Sequence, residues 1–137
     1  MNLVIRAVIE TGIYVNDLDA AEEFYGKILG LRQIGKEPGH HVFFQVGDAD
    51  VLLAFLPAAS LRGDLLPAHG AEGPGHFALG ISPEDFDAWR AHLVSQGVPI
   101  EQEAKWPHGG KSMYFRDPAG NAVELVTPGL WGLPTGW

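Results

Sequence analysis

A chain of 137 residues with 46% hydrophobic and 19% charged residues has the make-up of one globular domain, with no room for a long disordered stretch. Its formal net charge of −8, with only nine Lys and Arg and no basic run, argues against nucleic acid as a partner. Having no cysteine, the chain excludes disulfides and thiolate metal sites, so any bound metal must take nitrogen and oxygen ligands.

No apolar run approaches the length of a membrane span, so no membrane partner is expected. The N-terminus, interrupted by Arg6 and Glu10, does not read as a secretory signal, and the expected location is cytoplasmic. Residues 3–15 are rich in Val and Ile and predict a strand. Asn16-Asp17-Leu18-Asp19 starts a helix with Asp17 or Asp19 as N-cap, and Glu22 completes a capping box with Asp19. Ala21, Phe24, Tyr25 and Ile28 give its apolar stripe, and Gly30 is the left-handed cap. Strands are expected over 31–36, 41–46 and 51–56, with a turn at 47–50. Residues 57–75 form a Pro/Gly/Ala-rich loop, long for a compact domain.

The pattern then restarts. A strand is expected at 76–81, followed by a helix that opens on Ser82 as N-cap and Pro83 at its first position. Phe86, Trp89 and Leu93 supply its apolar stripe and Gly97 its cap. Strands follow at 98–103, 112–116 and 122–126, the last two joined by the turn Asp117-Pro118-Ala119-Gly120-Asn121. The order is thus βαβββ twice, aligned at an offset of about 66 to 71 residues. The expected organisation is a single α+β domain over 1–137: module one about 3–56, the loop 57–75, module two about 76–127 and a tail 128–137. Its two modules would form a curled mixed sheet around a cleft.

These segments resemble a known family. The run from Glu10 to Leu31, the segment Gly75-His76-Phe77-Ala78-Leu79 and the segment from Tyr114 to Leu125 are similar to the signatures of the vicinal-oxygen-chelate superfamily. Its members include glyoxalase I, extradiol dioxygenases and the fosfomycin- and bleomycin-resistance proteins, all on the glyoxalase/bleomycin resistance/dihydroxybiphenyl dioxygenase fold. The resemblance implies metal ligands on the first and last strand of each module, here Glu10, His76 and Glu124, with Leu53 at the fourth position. It implies one divalent ion (Fe, Mn, Zn, Ni or Co), a small oxygen-rich or carbonyl substrate chelated to it, and a homodimer. Either isomerase/lyase-like or dioxygenase-like chemistry is compatible, with Glu124 as a proton carrier. A bleomycin-resistance-type binding protein without catalysis is the alternative reading.

Other candidates surround this set. His69, in the long loop, is either a proton shuttle or extra metal ligand closing over the cleft, or a solvated loop histidine. His40 and His41 open a strand, and alternation should turn one of them inward. His41, Phe43, Tyr114 and Lys111 are candidate substrate-pocket residues, although Phe43 and Tyr114 also suit the core, as do Phe24, Phe77, Trp89 and Phe115. Gly110-Lys111-Ser112 is no phosphate-binding loop, because it lacks the upstream glycine and the flanking helix. The apolar tail, with Trp131 and Trp137, is expected to pack over the cleft mouth or on a partner subunit.

Overall fold

The computed structural model describes residues 3–63 and 66–137. The chain divides into two compact units, Met1–Glu72 and Gly73–Trp137. Each holds one open, four-stranded mixed sheet.

In the first unit, β1 (Glu10–Tyr14) leads to α1 (Leu18–Ala21), which runs on as a π-helical stretch over Glu22–Ile28. Then come β2 (Arg32–Glu37), β3 (His41–Val46), β4 (Asp50–Phe55) and the short helix α2 (Pro57–Ser60). The strand order is β1-β4-β3-β2, with β1 parallel to β4 and the other pairs antiparallel. Asp17 is the N-cap, accepting the Ala20 N–H at 3.0 Å. Ile13, Val42, Phe44, Leu52 and Ala54 alternate onto one buried face with Phe24 and Tyr25 of the helix. Burying a side chain such as Phe44 contributes about 1.5–3 kcal/mol. The opposite face, bearing Glu10, Tyr14, Leu53, His41 and Phe43, is only partly covered.

The second unit repeats the plan. It has β5 (His76–Gly80), a 3-10 turn (Pro83–Asp85), α3 (Phe86–Ser95), β6 (Gln102–Lys105), β7 (Lys111–Arg116) and β8 (Ala122–Val126). The order β5-β8-β7-β6 again has one parallel pair, β5 with β8. Met113, Phe115, Val123 and Leu125 form the buried face, with Phe86 and Leu93 also buried on the helix.

The structure departs from the sequence reading in several places. The first strand is confined to Glu10–Tyr14, because its partner β4 begins only at Asp50 and, among the described residues, no strand pairs with those before it. Strand β6 lies later than 98–103, since Pro99 has no N–H to give to a ladder. The long loop contains α2, started by Pro57. Ser82 occupies the N-cap position but its side chain makes no cap hydrogen bond, the first turn being 3-10. Trp89 is only half buried, edge-on to His92.

Candidate metal centre

The site builds from strand register. In β5 and β8, His76 pairs with Ala122 and Ala78 with Glu124; Tyr114 of β7 lies opposite Glu124 on the other side. Alternation therefore puts His76, Ala78, Glu124, Tyr114 and Ser112 on one face of the second sheet. There His76 Nε2 lies 3.3 Å from Glu124 Oε1. His76 Nδ1 lies 3.0 Å from the carbonyl oxygen of Ala122, which can only accept. In a neutral ring the hydrogen therefore belongs on Nδ1, which leaves the Nε2 lone pair free for a metal ion.

Glu124 is buried, and its other oxygen, Oε2, accepts a hydrogen bond from the Ser112 hydroxyl. Ser112 in turn accepts from the Trp106 indole N–H at 2.8 Å. One carboxylate oxygen is thereby tied back while the other faces His76. Two lone pairs held at 3.3 Å are about as far apart as two ligands of one tetrahedral metal, and both carry the outer hydrogen bonds that orient ligands. The residues present therefore fit a divalent ion. Burial, followed by the neighbouring Glu124 charge, pushes the Tyr114 phenol above its ordinary value. Its ring lies 6.1 Å from that of His76.

The first sheet repeats the register. Glu10 pairs with Val51 as His76 pairs with Ala122, so Leu53 is the counterpart of Glu124. The apolar fourth position implied by the sequence is thus a matter of register and not of misalignment. Glu10 is exposed on its own sheet. On the same face, His41 stacks on Phe43 with ring centroids 3.9 Å apart. Desolvation, then the adjacent His40, lowers the His41 pKa below its ordinary value. His69 lies in the same unit: its Nδ1 is 2.8 Å from the Tyr14 hydroxyl and its ring is edge-on to Phe55.

Lys111 does not join His76 and Glu124. It alternates to the other face of β7, where its ammonium sits 5.7 Å over the Phe86 ring. There Arg90, Glu103 and Phe86 help it line a cavity of about 340 Å³. Sequence reasoning missed Ser112 and Trp106. The signal for Ser112 was available, since a small polar residue two before Tyr114 must share its face.

A family model for the Glyoxalase/Bleomycin resistance protein/Dioxygenase superfamily matches residues 7–125. The chain belongs to that superfamily. Among solved structures, a lactoylglutathione lyase from Agrobacterium tumefaciens is 42% identical, with a TM-score of 0.89 over 95% of this chain and 99% of that one. A glyoxalase/dioxygenase from Nostoc punctiforme is 26% identical, with a TM-score of 0.68 over 93% and 97%. A glyoxalase/bleomycin resistance protein/dioxygenase from Nocardioides, 23% identical with a TM-score of 0.73 over 99% and 91%, shares the fold. Among the described residues, no helix of this superfamily member is long and apolar enough to cross a membrane.

Proposed function

We propose that the chain is a metal-dependent lyase or isomerase, acting on a small substrate with a carbonyl beside a second oxygen. The observation that carries this reading is the edge formed by His76 Nε2 and Glu124 Oε1, 3.3 Å apart and oriented from behind. The 42% identity to a lactoylglutathione lyase favours lyase chemistry over dioxygenase chemistry.

His76 and Glu124 would hold the ion, with Glu10 as the third ligand that the family resemblance implies. When bound, a divalent ion acts as a Lewis acid on a carbonyl oxygen and leaves positions for two adjacent substrate oxygens. Glu124 Oε1, when not engaged by the ion, would take the proton from the carbon beside the carbonyl and return it to the carbonyl carbon, while the proton of the adjacent hydroxyl passes to the former carbonyl oxygen. Ser112 keeps Oε2 occupied, so the carboxylate presents one oxygen. Tyr114, whose phenol burial and then Glu124 push above its ordinary value, would donate a hydrogen bond to a substrate oxygen.

The test is metal content by mass spectrometry on untagged protein, for wild type beside His76→Ala and Glu124→Ala, followed by anaerobic turnover of a hemithioacetal. Loss of one metal ion per chain with each substitution, and wild-type turnover in the absence of oxygen, is the expected result. Oxygen uptake and a yellow product from catechols would move the assignment to a dioxygenase. Wild type that takes up no metal would leave a small-molecule binding protein of the bleomycin-resistance type. The chain is further proposed to work as a homodimer, a reading tested below.

A further inference from the structure

A second group of metal-ligating side chains stands at the tip of the first sheet. Glu37-Pro38-Gly39-His40 is a β-turn closed by the His40 N–H on the Glu37 carbonyl at 3.0 Å. Pro38 in its second position and Gly39 in its third, at φ 77°, are the signature of a type II turn. One residue on, His41 is the cross-strand partner of Glu37, so their side chains share a face. The turn brings in His40 from the side, with its Nδ1 2.8 Å from His41 Nδ1. Glu37 Oε2 is 3.9 Å from that same His41 nitrogen. A ligand atom from each of the three lies within 4.8 Å of the others.

Two imidazole nitrogens at 2.8 Å must share one hydrogen between them. A metal ion replaces that hydrogen without moving the rings far: ligands bound to a tetrahedral zinc are about 3.3 Å apart, inside the span from 2.8 to 3.9 Å seen here. The rings are also held in place. His41 stacks on Phe43, and both His40 and His41 lie edge-on to Phe55 at 6.1 Å. Two imidazoles and one carboxylate, without a thiolate, suit zinc and its neighbours in the transition series and do not suit magnesium or calcium. Glu10, on the same face, is four residues away along the strand from the row containing Tyr14, Phe55, His41 and Glu37, or about 13 Å. The two groups cannot share an ion.

We propose that Glu37, His40 and His41 form a second divalent-metal site of the zinc class, independent of His76 and Glu124 and clamping β2 to β3. The probe is Zn²⁺, titrated by calorimetry into the untagged full-length chain. Four proteins are compared: wild type, His76→Ala/Glu124→Gln, and that pair combined with either His40→Ala or Glu37→Gln. The exposed Glu37 and the turn residue His40 are chosen so that β3 keeps its packing, and circular dichroism checks each fold. The His76/Glu124 double variant is expected to bind one Zn²⁺ and to melt at a higher temperature with it. Adding His40→Ala or Glu37→Gln should weaken that binding more than about tenfold, a scale reached even by indirect partners of a ligand. The proposal is overturned if the double variant binds no zinc, or if the hairpin substitutions leave its zinc affinity unchanged. If wild type and the double variant each bind one ion, the hairpin site stands and the proposed strand site falls.

Discussion

At the scale of single residues, Ser112 holds the carboxylate of the proposed metal centre from behind. Its hydroxyl donates to Glu124 Oε2 while accepting from Trp106, so Ser112→Ala frees the carboxylate to rotate and leaves the indole N–H without that acceptor. Metal affinity is expected to fall about 10- to 100-fold, read by competition with a chromophoric chelator, while the circular dichroism spectrum is unchanged. Glu103 supplies a pH-dependent counterpart far from that chemistry. Its carboxylate accepts from Arg90 Nε at 2.7 Å and Nη2 at 2.6 Å, and this guanidinium holds its pKa below the ordinary value. A depressed carboxylate pKa means that the unfolded chain binds protons more readily. The stabilisation is therefore present above the unfolded value of 4.5 and is lost as pH falls through the lower folded value. Denaturation of wild type and Glu103→Gln should differ near neutrality and converge below that range; curves that stay parallel with pH would show that the pair contributes nothing through ionisation.

At the scale of elements, the hairpin between β2 and β3 rests on Gly39, whose φ of 77° is strained for any residue with a Cβ. Gly39→Ala should cost about 1–2 kcal/mol in chemical denaturation, and the same substitution at Gly12, where φ is ordinary, lacks this strain. Turns and strands of this kind were readable from the sequence because their residues have local causes: Gly30, Gly97 and Gly120 all adopt positive φ at expected turns or caps. The strands 41–46 and 122–126 match their expected bounds because both are apolar runs flanked by turn residues. What failed to show was pairing. The extent of β1 is set by where β4 begins, and the face of Lys111 by the register of β7 against β8. The meeting of His76 with Glu124 was expected from the family signatures, and local patterning alone did not require it. The Glu37, His40 and His41 group was hidden for a simpler reason. The expected strand stopped at 36, so Glu37 was left in the turn and its cross-strand relation to His41 went unseen.

At the scale of the whole molecule, duplication explains why two sheets carry matching registers yet unequal chemistry, Leu53 standing where Glu124 stands. It does not explain the two apolar ends. In the second unit the tail turns back through Gly129 N–H on the Gly136 carbonyl at 2.7 Å and lays the Trp137 ring on Gly80, where a Cβ would collide with it. Gly80 alternates with Ala78 and His76, so this indole lies on the same face of the second sheet as His76 and Glu124. The opposite end is different: Leu3, Val4, Ile5, Val8 and Ile9 are 57% to 94% exposed, ahead of β1 at the edge of the first sheet. A run of five such side chains exceeds the scattered apolar residues a monomer usually shows, and an edge strand beside it offers backbone groups for pairing. This is the physical basis for proposing a homodimer. Light scattering should give twice the chain mass of 14.8 kDa, and replacing Val4, Ile5 and Val8 by Lys should give the single-chain mass with the fold intact. A wild-type chain that scatters as a monomer at tens of micromolar would remove the homodimer from the proposed function, and an unchanged dimer in the Lys variant would move the interface off the arm.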